Sequence, residues 1–418
     1  MRIEKWDRFS HTPGKIVNAA NGDVACDHYH RFRDDIEIMR QIGLNAYRFS
    51  ISWPRVLPNG VGAVNEKGID FYDRLTDALL EANIEPYATL YHWDLPQALQ
   101  DQGGWGNRDL VGQFADYAAL MGKRLGDRIK HWATLNEPWV IAFLGHRSGE
   151  HAPGLQDEAL SLQVSHHLMV AHGAAVDALR ANVSNVQAGI VINLWPSETM
   201  HNTAHKLQIA RDMWQRDNAW FLDPLFRGSY PADVLEKYGA RAPQILPGDM
   251  AQIARSLDWW GINYYARHVV GVEGPVPGSE YTEMGWEVHA PALERMLVRL
   301  HSDYRLPPTF ITENGAAFAD EYNGDGRVRD PRRTDYLYAH LDAVARAMQQ
   351  GVNMRGYFVW SLMDNFEWAW GYTKRFGVVY VDYATQTRVL KDSAKWYGDF
   401  IRVQSNVKHA TPNVKREA

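Results

Sequence analysis

Thr134-Leu135-Asn136-Glu137-Pro138 closes an apolar run that begins at Ile129. A strand pattern that stops at a proline reads as the mouth of a strand, because proline has no N–H for the next ladder position. A lone Glu at such a place is most often a solvated charge. The stretch Phe310-Ile311-Thr312-Glu313-Asn314-Gly315 repeats the pattern: apolar strand, Thr, a Glu near the last strand position, Asn beside it, then a breaker. Two glutamates far apart in the chain, each at a strand end, are what carboxylate-pair chemistry requires.

Working outward from these two, a strand–helix unit repeats. Strands read at Asn45–Ile51, Ile84–Tyr91, Ile129–Asn136, Ala188–Leu194, Trp259–Tyr265, Thr309–Glu313 and Met354–Leu362. Helical periodicity opens the series at Asp27–Ile42 and recurs at 66–82, 109–125, 158–180, 204–226, 292–301, 333–349 and 393–402. Near-continuous apolar strands alternating with helices mean one α/β domain over residues 1–418, built on a parallel sheet buried on both faces. No glycine-rich phosphate turn follows the first strand, and polar or aromatic residues stand at nearly every strand end. The pattern therefore predicts a TIM-type (β/α)8 barrel with its site at the C-terminal strand ends. It is one strand short, because the chain opens on a helix. Residues 1–26 read as irregular, and 403–418 as a polar, frayed tail.

Composition narrows the function. The net charge is -6 and no basic block exists, which argues against a nucleic-acid partner. Cys26 is the sole cysteine, so no intrachain disulfide forms, which fits the cytoplasm. The N-terminus lacks the apolar core of a signal peptide, and no run of 18 apolar residues predicts a membrane span. Of the 16 Trp, residues Trp53, Trp93, Trp132, Trp360, Trp368 and Trp370 fall near strand ends, where flat apolar platforms suit sugar faces. His28 with His30, and His166 with His167, lack a closed zinc spacing, and Asn323-Gly324-Asp325-Gly326 lacks the terminal Glu of a calcium loop. No metal or cofactor is expected.

Glycoside cleavage uses one carboxyl group that donates a proton and one that attacks or activates water. A separation of roughly 5 Å means retention through a covalent glycosyl-enzyme, and roughly 6.5–9.5 Å means inversion. Asn136, beside Glu137, is a candidate donor to a sugar hydroxyl. Arg48, at another strand end, is a candidate partner for an ionised carboxylate; its bland reading is an ion pair inside the barrel.

Together the two glutamate motifs resemble glycoside hydrolase family 1, the retaining β-glucosidase type, from about Trp6 to the last helix. The resemblance implies that Glu137 is the acid/base and Glu313 the nucleophile. Tyr91-His92-Trp93-Asp94-Leu95-Pro96 is similar to the segment whose His binds a hydroxyl of the nonreducing sugar. Gly261-Ile262-Asn263-Tyr264-Tyr265 is similar to the segment whose second Tyr bonds the nucleophile, so Arg48, Tyr265 and Asn263 are expected around Glu313. Trp360-Ser361-Leu362 implies a sugar platform. Asn365-Phe366-Glu367-Trp368 implies a carboxylate and an indole N–H for the outer hydroxyls. Phe376 is expected over the C6 side. The implied substrate-binding set is therefore His92, Trp93, Asn136, Trp360, Glu367, Trp368 and Phe376. The acidic, indole-rich Glu367-Trp368-Ala369-Trp370 would repel a phosphorylated sugar, which favours unphosphorylated β-glucosides, with β-galactosides and β-fucosides as side substrates.

The chain departs from that family at its start. Members usually carry a further strand with a segment like Trp-Gly-x-Ala-Thr-x-x-Tyr-Gln-x-Glu-Gly, whose Gln grips two sugar hydroxyls. Losing such a contact typically costs about 1–3 kcal/mol of transition-state binding. A barrel short of that strand bares the edges at Tyr47 and Phe358. Three solutions are expected: a homo-oligomer, cover by the N-terminal segment, or direct closure into a smaller barrel. The functional expectation is weakened hydrolysis, with a catalytically impaired sugar-binding scaffold as the alternative.

Overall fold

The computed structural model describes residues 4–410, with side chains through residue 404. Seven parallel strands form one sheet in chain order: β1 (Ala46–Ser50), β2 (Glu85–Tyr91), β3 (His131–Asn136), β4 (Gln187–Asn193), β5 (Trp260–Asn263), β6 (Thr309–Asn314) and β7 (Met354–Val359). Every neighbouring pair is parallel. The apolar runs read from sequence are these strands, because a strand covered on both faces cannot alternate polar and apolar residues.

Helices cover the outside: α1 (His28–Ile42), α2 (Glu66–Glu81), α3 (Leu110–Leu125), α4 (Glu158–Asn182), α5 (Ala204–Trp214), α6 (Ala290–Asp303), α7 (Pro331–Gln349) and α8 (Asp392–Ala410). The expected helix 204–226 is α5, a π-helical segment at Gln215–Ala219 and a second helix Trp220–Arg227. The barrel interior is filled by Tyr87, Ala133, Val191, Trp259 and Phe310, with Ala46 and Phe358 packed against them. Trp53 and Trp132 belong to the main apolar core and are fully buried, so strand-end position alone did not make them platforms.

Three expectations change. Residues 1–26 are not wholly irregular: Lys5–Ser10 is a short helix with Trp6 and Phe9 buried. Residues Met1 to Ile3 lie outside the described part. The last helix runs eight residues past Arg402, to Ala410, and residues 411–418 lie outside the description. Short strands also occur in loops, at Val379–Asp382 with Thr387–Leu390 and at Ser197–Thr199 with His268–Val270. They are too brief for a periodicity to register.

The edge question resolves in part. Among the described residues β1 pairs only with β2, and β7 only with β6, so direct closure does not occur. The described N-terminal residues, from Glu4 onward, form no ladder with either edge. Lys5 donates its backbone N–H to Leu95 O at 3.0 Å, and the Trp6 ring lies 4.5 Å from that of Trp368, which seats the helix at the mouth of the barrel.

Candidate active site

Strand ends deliver the charged groups, and irregular register aims them. Parallel pairing shifts between Ala133 and Asn136, between Ile262 and Asn263, and between Ile311 and Asn314. Such irregularities turn the side chains of the last strand residues. Glu137 adopts a left-handed backbone (φ 49°), as do Trp93 (φ 82°) and Trp368 (φ 45°). Non-glycine residues hold this conformation at a cost that the surrounding packing must offset, and such sites cluster where function needs a fixed side chain. Gly315, after the second glutamate, has a separate reason: a Cβ there would sit 1.8 Å from Trp360 O.

Glu137 and Glu313 are both buried, at 6% and 4% exposure. Arg48 donates Nη1–H to Glu313 Oε1 at 2.8 Å, and Tyr265 donates its hydroxyl to Oε2 at 2.7 Å. Both oxygens of Glu313 thus accept a bond from a fixed donor. Arg48 is not a remote structural pair: its Nη2 also bonds Asn136 Oδ1 at 2.5 Å.

Asn263 is a correction. Expected beside Glu313, it donates Nδ2–H to Glu137 Oε1 at 2.7 Å and to Asn136 Oδ1 at 3.2 Å. Its own Oδ1 accepts from Thr312 at 2.7 Å, which fixes the amide orientation. Asn263 ends β5, which neighbours the Glu313 strand and is separated from the Glu137 strand by β4, and the register of that pairing shifts at Asn263. Glu137, Asn263, Asn136, Arg48 and Glu313 form one hydrogen-bonded chain across the strand ends.

Electrostatics separate the two carboxyl groups. Burial, and then the charge of Glu313, push the Glu137 carboxyl well above its ordinary range; the Asn263 bond and Arg48 oppose this without reversing it. Burial and the Arg48 charge hold His92 well below its usual range. The His92 ring is therefore neutral. Asn136 donates Nδ2–H to its Nε2 at 3.2 Å, which leaves the ring proton on Nδ1.

A cavity of about 130 Å³ opens on both glutamates and is lined by His92, Trp93, Tyr265, Trp360, Glu367, Trp368 and Phe376. Asn136 lies beneath it, fully buried, with its amide engaged by Arg48, Asn263 and His92. Trp93 donates Nε1–H to Asn136 O at 2.9 Å and packs against Trp368 at a tilt of 40°, ring centres 4.7 Å apart. Trp139, Trp195, Met284 and Trp286 line the same cavity and were missed. Trp195 follows a strand by two residues and carried the strand-end signal; Met284 and Trp286 sit in a long loop and carried none. The histidine pairs read as unlikely metal ligands have protein partners: His28 bonds Asp35, His30 bonds Asp27, and His166 bonds Tyr230 and Asp249.

Glu367 is pushed up to about 8 by burial and then by the charge of Glu313. Its folded value lies above the ordinary 4.5, so folding takes up a proton between those values. The contribution of Glu367 to stability is greatest below about 4.5 and is lost as pH rises through about 8. Glu367→Gln is expected to raise Tm by about 1–3 °C at pH 9 and to leave it nearly unchanged at pH 4.5. Thermal scans across pH check this, and an equal shift at both pH values would contradict it.

Known proteins match this arrangement over nearly its whole length. The model of glycosyl hydrolase family 1 matches residues 2–406. Beta-glucosidase A of Thermotoga maritima is 47% identical over 406 residues, 95% of this chain and 91% of that protein. The bifunctional beta-D-glucosidase/beta-D-fucosidase of Bifidobacterium breve is 43% identical over 428 residues, covering 95% and 92%. The solved Thermotoga maritima beta-glucosidase in complex with glucoimidazole superposes with a TM-score of 0.93 over 96% of this chain and 92% of that one. A barrel with two glutamates at its strand ends, matched end to end at these identities, belongs to glycosyl hydrolase family 1.

Proposed function

We propose that the protein is a retaining β-glucosidase acting on unphosphorylated β-D-glucosides. Glu313 is the nucleophile and Glu137 the acid/base. The observation that carries this reading is the asymmetry of the pair: Glu313 accepts from Arg48 and Tyr265, while Glu137 is buried and raised beside it. One carboxyl group is thereby held in place by two donors and the other pushed toward its protonated form in the same pocket, which suits a nucleophile and an acid for double displacement.

In the first step a Glu313 oxygen attacks the anomeric carbon as Glu137 gives its proton to the departing glycosidic oxygen. The sugar is then an ester of Glu313. Neutralising Glu313 removes the second largest cause of the raised Glu137 value, so Glu137, now a carboxylate, accepts a proton from water. The hydroxide equivalent attacks the same carbon, Glu313 leaves, and the β configuration returns. His92, Trp360, Glu367 and Trp368 hold the sugar, and Phe376 closes the side near C6.

Among the described residues, the cavity's lining contains no Lys or Arg to pair with a phosphate, which disfavours a phosphorylated sugar. β-Fucosides are a secondary substrate, as the name of the Bifidobacterium breve relative suggests. The lone Cys26 is compatible with a cytoplasmic enzyme. Proton NMR of early hydrolysis of an aryl β-glucoside is expected to show β-glucose before mutarotation. Initial α-glucose would mean inversion, and sugar binding without turnover would mean a scaffold.

A further inference from the structure

Residues 365–376 form a loop that carries Glu367, Trp368 and Phe376 to the substrate cavity. Its only regular element is the three-residue turn Trp368–Trp370. Glu367 is half-buried, yet among the described residues no protein group donates a hydrogen bond to its carboxyl. A side chain without a protein partner is aimed by the backbone that carries it, so the direction of Glu367 is set where the loop is anchored.

The anchor is the neck of the loop. Asp364 stands at one end and Arg375 at the other, and Arg375 donates Nη1–H to Asp364 Oδ2 at 2.6 Å. The backbone pairs across the same neck: Val378 donates N–H to Ser361 O at 2.9 Å, and Asp364 donates N–H to Val379 O at 3.0 Å. Gly377 donates N–H to Asp364 Oδ1 at 3.0 Å. A Cβ at Gly377 would sit 2.1 Å from Asp364 N, so only glycine allows this approach.

Behind the neck, Lys391 is fully buried just ahead of α8 and donates Nζ–H to Asp364 Oδ1 at 2.9 Å and to Asp320 Oδ2 at 2.5 Å. Arg333, fully buried on α7, bonds Asp320 and Asp330 and also two backbone carbonyls, Arg375 O at 2.8 Å and Ala316 O at 3.2 Å. Ala316 lies just past the end of β6, the strand that ends in Glu313 and Asn314. Asp320, Asp330 and Asp364 thus face Arg333, Arg375 and Lys391, and the buried charge balances. Buried ion pairs are weak evidence for stability, because well-packed apolar residues often serve as well. What this one supplies is a fixed geometry between the Glu313 strand end and the neck of the loop.

We propose that Asp364 is a positioning residue: through Arg375, Lys391 and the Gly377 amide it locks the neck of the 365–376 loop to the end of β6, and so sets where Glu367 meets the sugar. The proposal rests on the glucosidase reading of the cavity. Asp364 acts through Glu367 and does not line the cavity itself. Without its charge, Arg375 and Lys391 lose the anion they share, and the neck loosens. The outer loop has other ties: Tyr372 donates its hydroxyl to Asn21 O at 2.7 Å, and Trp368 packs on Trp93. The expected change is therefore a displaced Glu367 in a folded loop.

Two variants loosen the neck by different routes. Asp364→Asn removes the shared charge at constant size, and Arg375→Met removes the pair across the neck. Each is made alone and together with Glu367→Gln in the full 418-residue chain, with folding checked by circular dichroism. For an aryl β-glucoside, each is expected to raise KM about tenfold or more and to lower kcat by less. The Kd of the imino sugar deoxynojirimycin, measured by calorimetry without turnover, should rise in parallel. In the Glu367→Gln background the same substitutions should change KM and Kd less than about threefold, because the contact they misplace is already altered. A purely structural role gives a different pattern: a smaller folded fraction lowers apparent kcat and leaves KM and Kd as they were. That pattern, equal rises in both backgrounds, or failure of both variants to fold overturns the proposal. If Asp364→Asn alone fails to fold, Arg375→Met decides, since the Arg375 side chain is partly exposed. An unaltered protein that binds deoxynojirimycin without hydrolysing the glucoside refutes the glucosidase reading, and the binding measurements still decide the role of Asp364.

Discussion

Replacing Glu313 by Ala is expected to lower kcat/KM for an aryl β-glucoside on the order of 10⁵-fold, with the fold retained. The substitution removes the group that Arg48 and Tyr265 both hold, and with it the atom placed to attack the anomeric carbon. It leaves the Arg48 bond to Asn136 and the Asn263 bond to Glu137 in place, so the rest of the site keeps its geometry. Azide can then enter the vacated space and attack from the face that Glu313 occupied. The expected product is the α-glucosyl azide, identified by NMR, with much of the lost rate restored. Glu137 should also become more acidic in this variant, because the charge of Glu313 is the second largest cause of its raised value. The alkaline limb of the azide-rescued reaction should move to lower pH. Turnover within tenfold of the unaltered protein, or a β-azide as product, would remove Glu313 from its assigned role.

Replacing Glu137 by Ala should produce a loss that depends on the leaving group. For alkyl or sugar leaving groups, which need a proton, kcat is expected to fall about 10²–10⁴-fold. For a nitrophenyl leaving group the first step survives and the second slows, because no base activates water. A burst of nitrophenol followed by a slow steady state is expected. Azide needs no general base, so it should relieve the slow step and yield the β-glucosyl azide. In the unaltered protein, activity should decline as pH rises through the elevated Glu137 value, since the ionised form cannot donate; the variant should lack that limb. A uniform loss across leaving groups would instead indicate a binding role.

Helix and strand positions were legible because each apolar run is long enough to show its period, and the TIM-type architecture followed from their alternation. Glu137 and Glu313 were legible because each ends such a run beside Asn and before a breaker. Asn263 was misassigned for a physical reason: which glutamate a strand-end amide meets depends on pairing register, and a local shift is not written in either strand's own sequence. Trp286 and Met284 were invisible because a long loop reaches the pocket by its tertiary path, without a period or motif.

By itself, then, the sequence determined the element types and the pairing of two glutamates, since both depend on local pattern and order along the chain. Tertiary structure alone decided that Asn263, expected around Glu313 with Arg48 and Tyr265, bonds Glu137 instead. It also decided that, among the described residues, β1 and β7 do not pair with each other. Those outcomes depend on register and on side chains meeting across hundreds of residues, which no local period encodes.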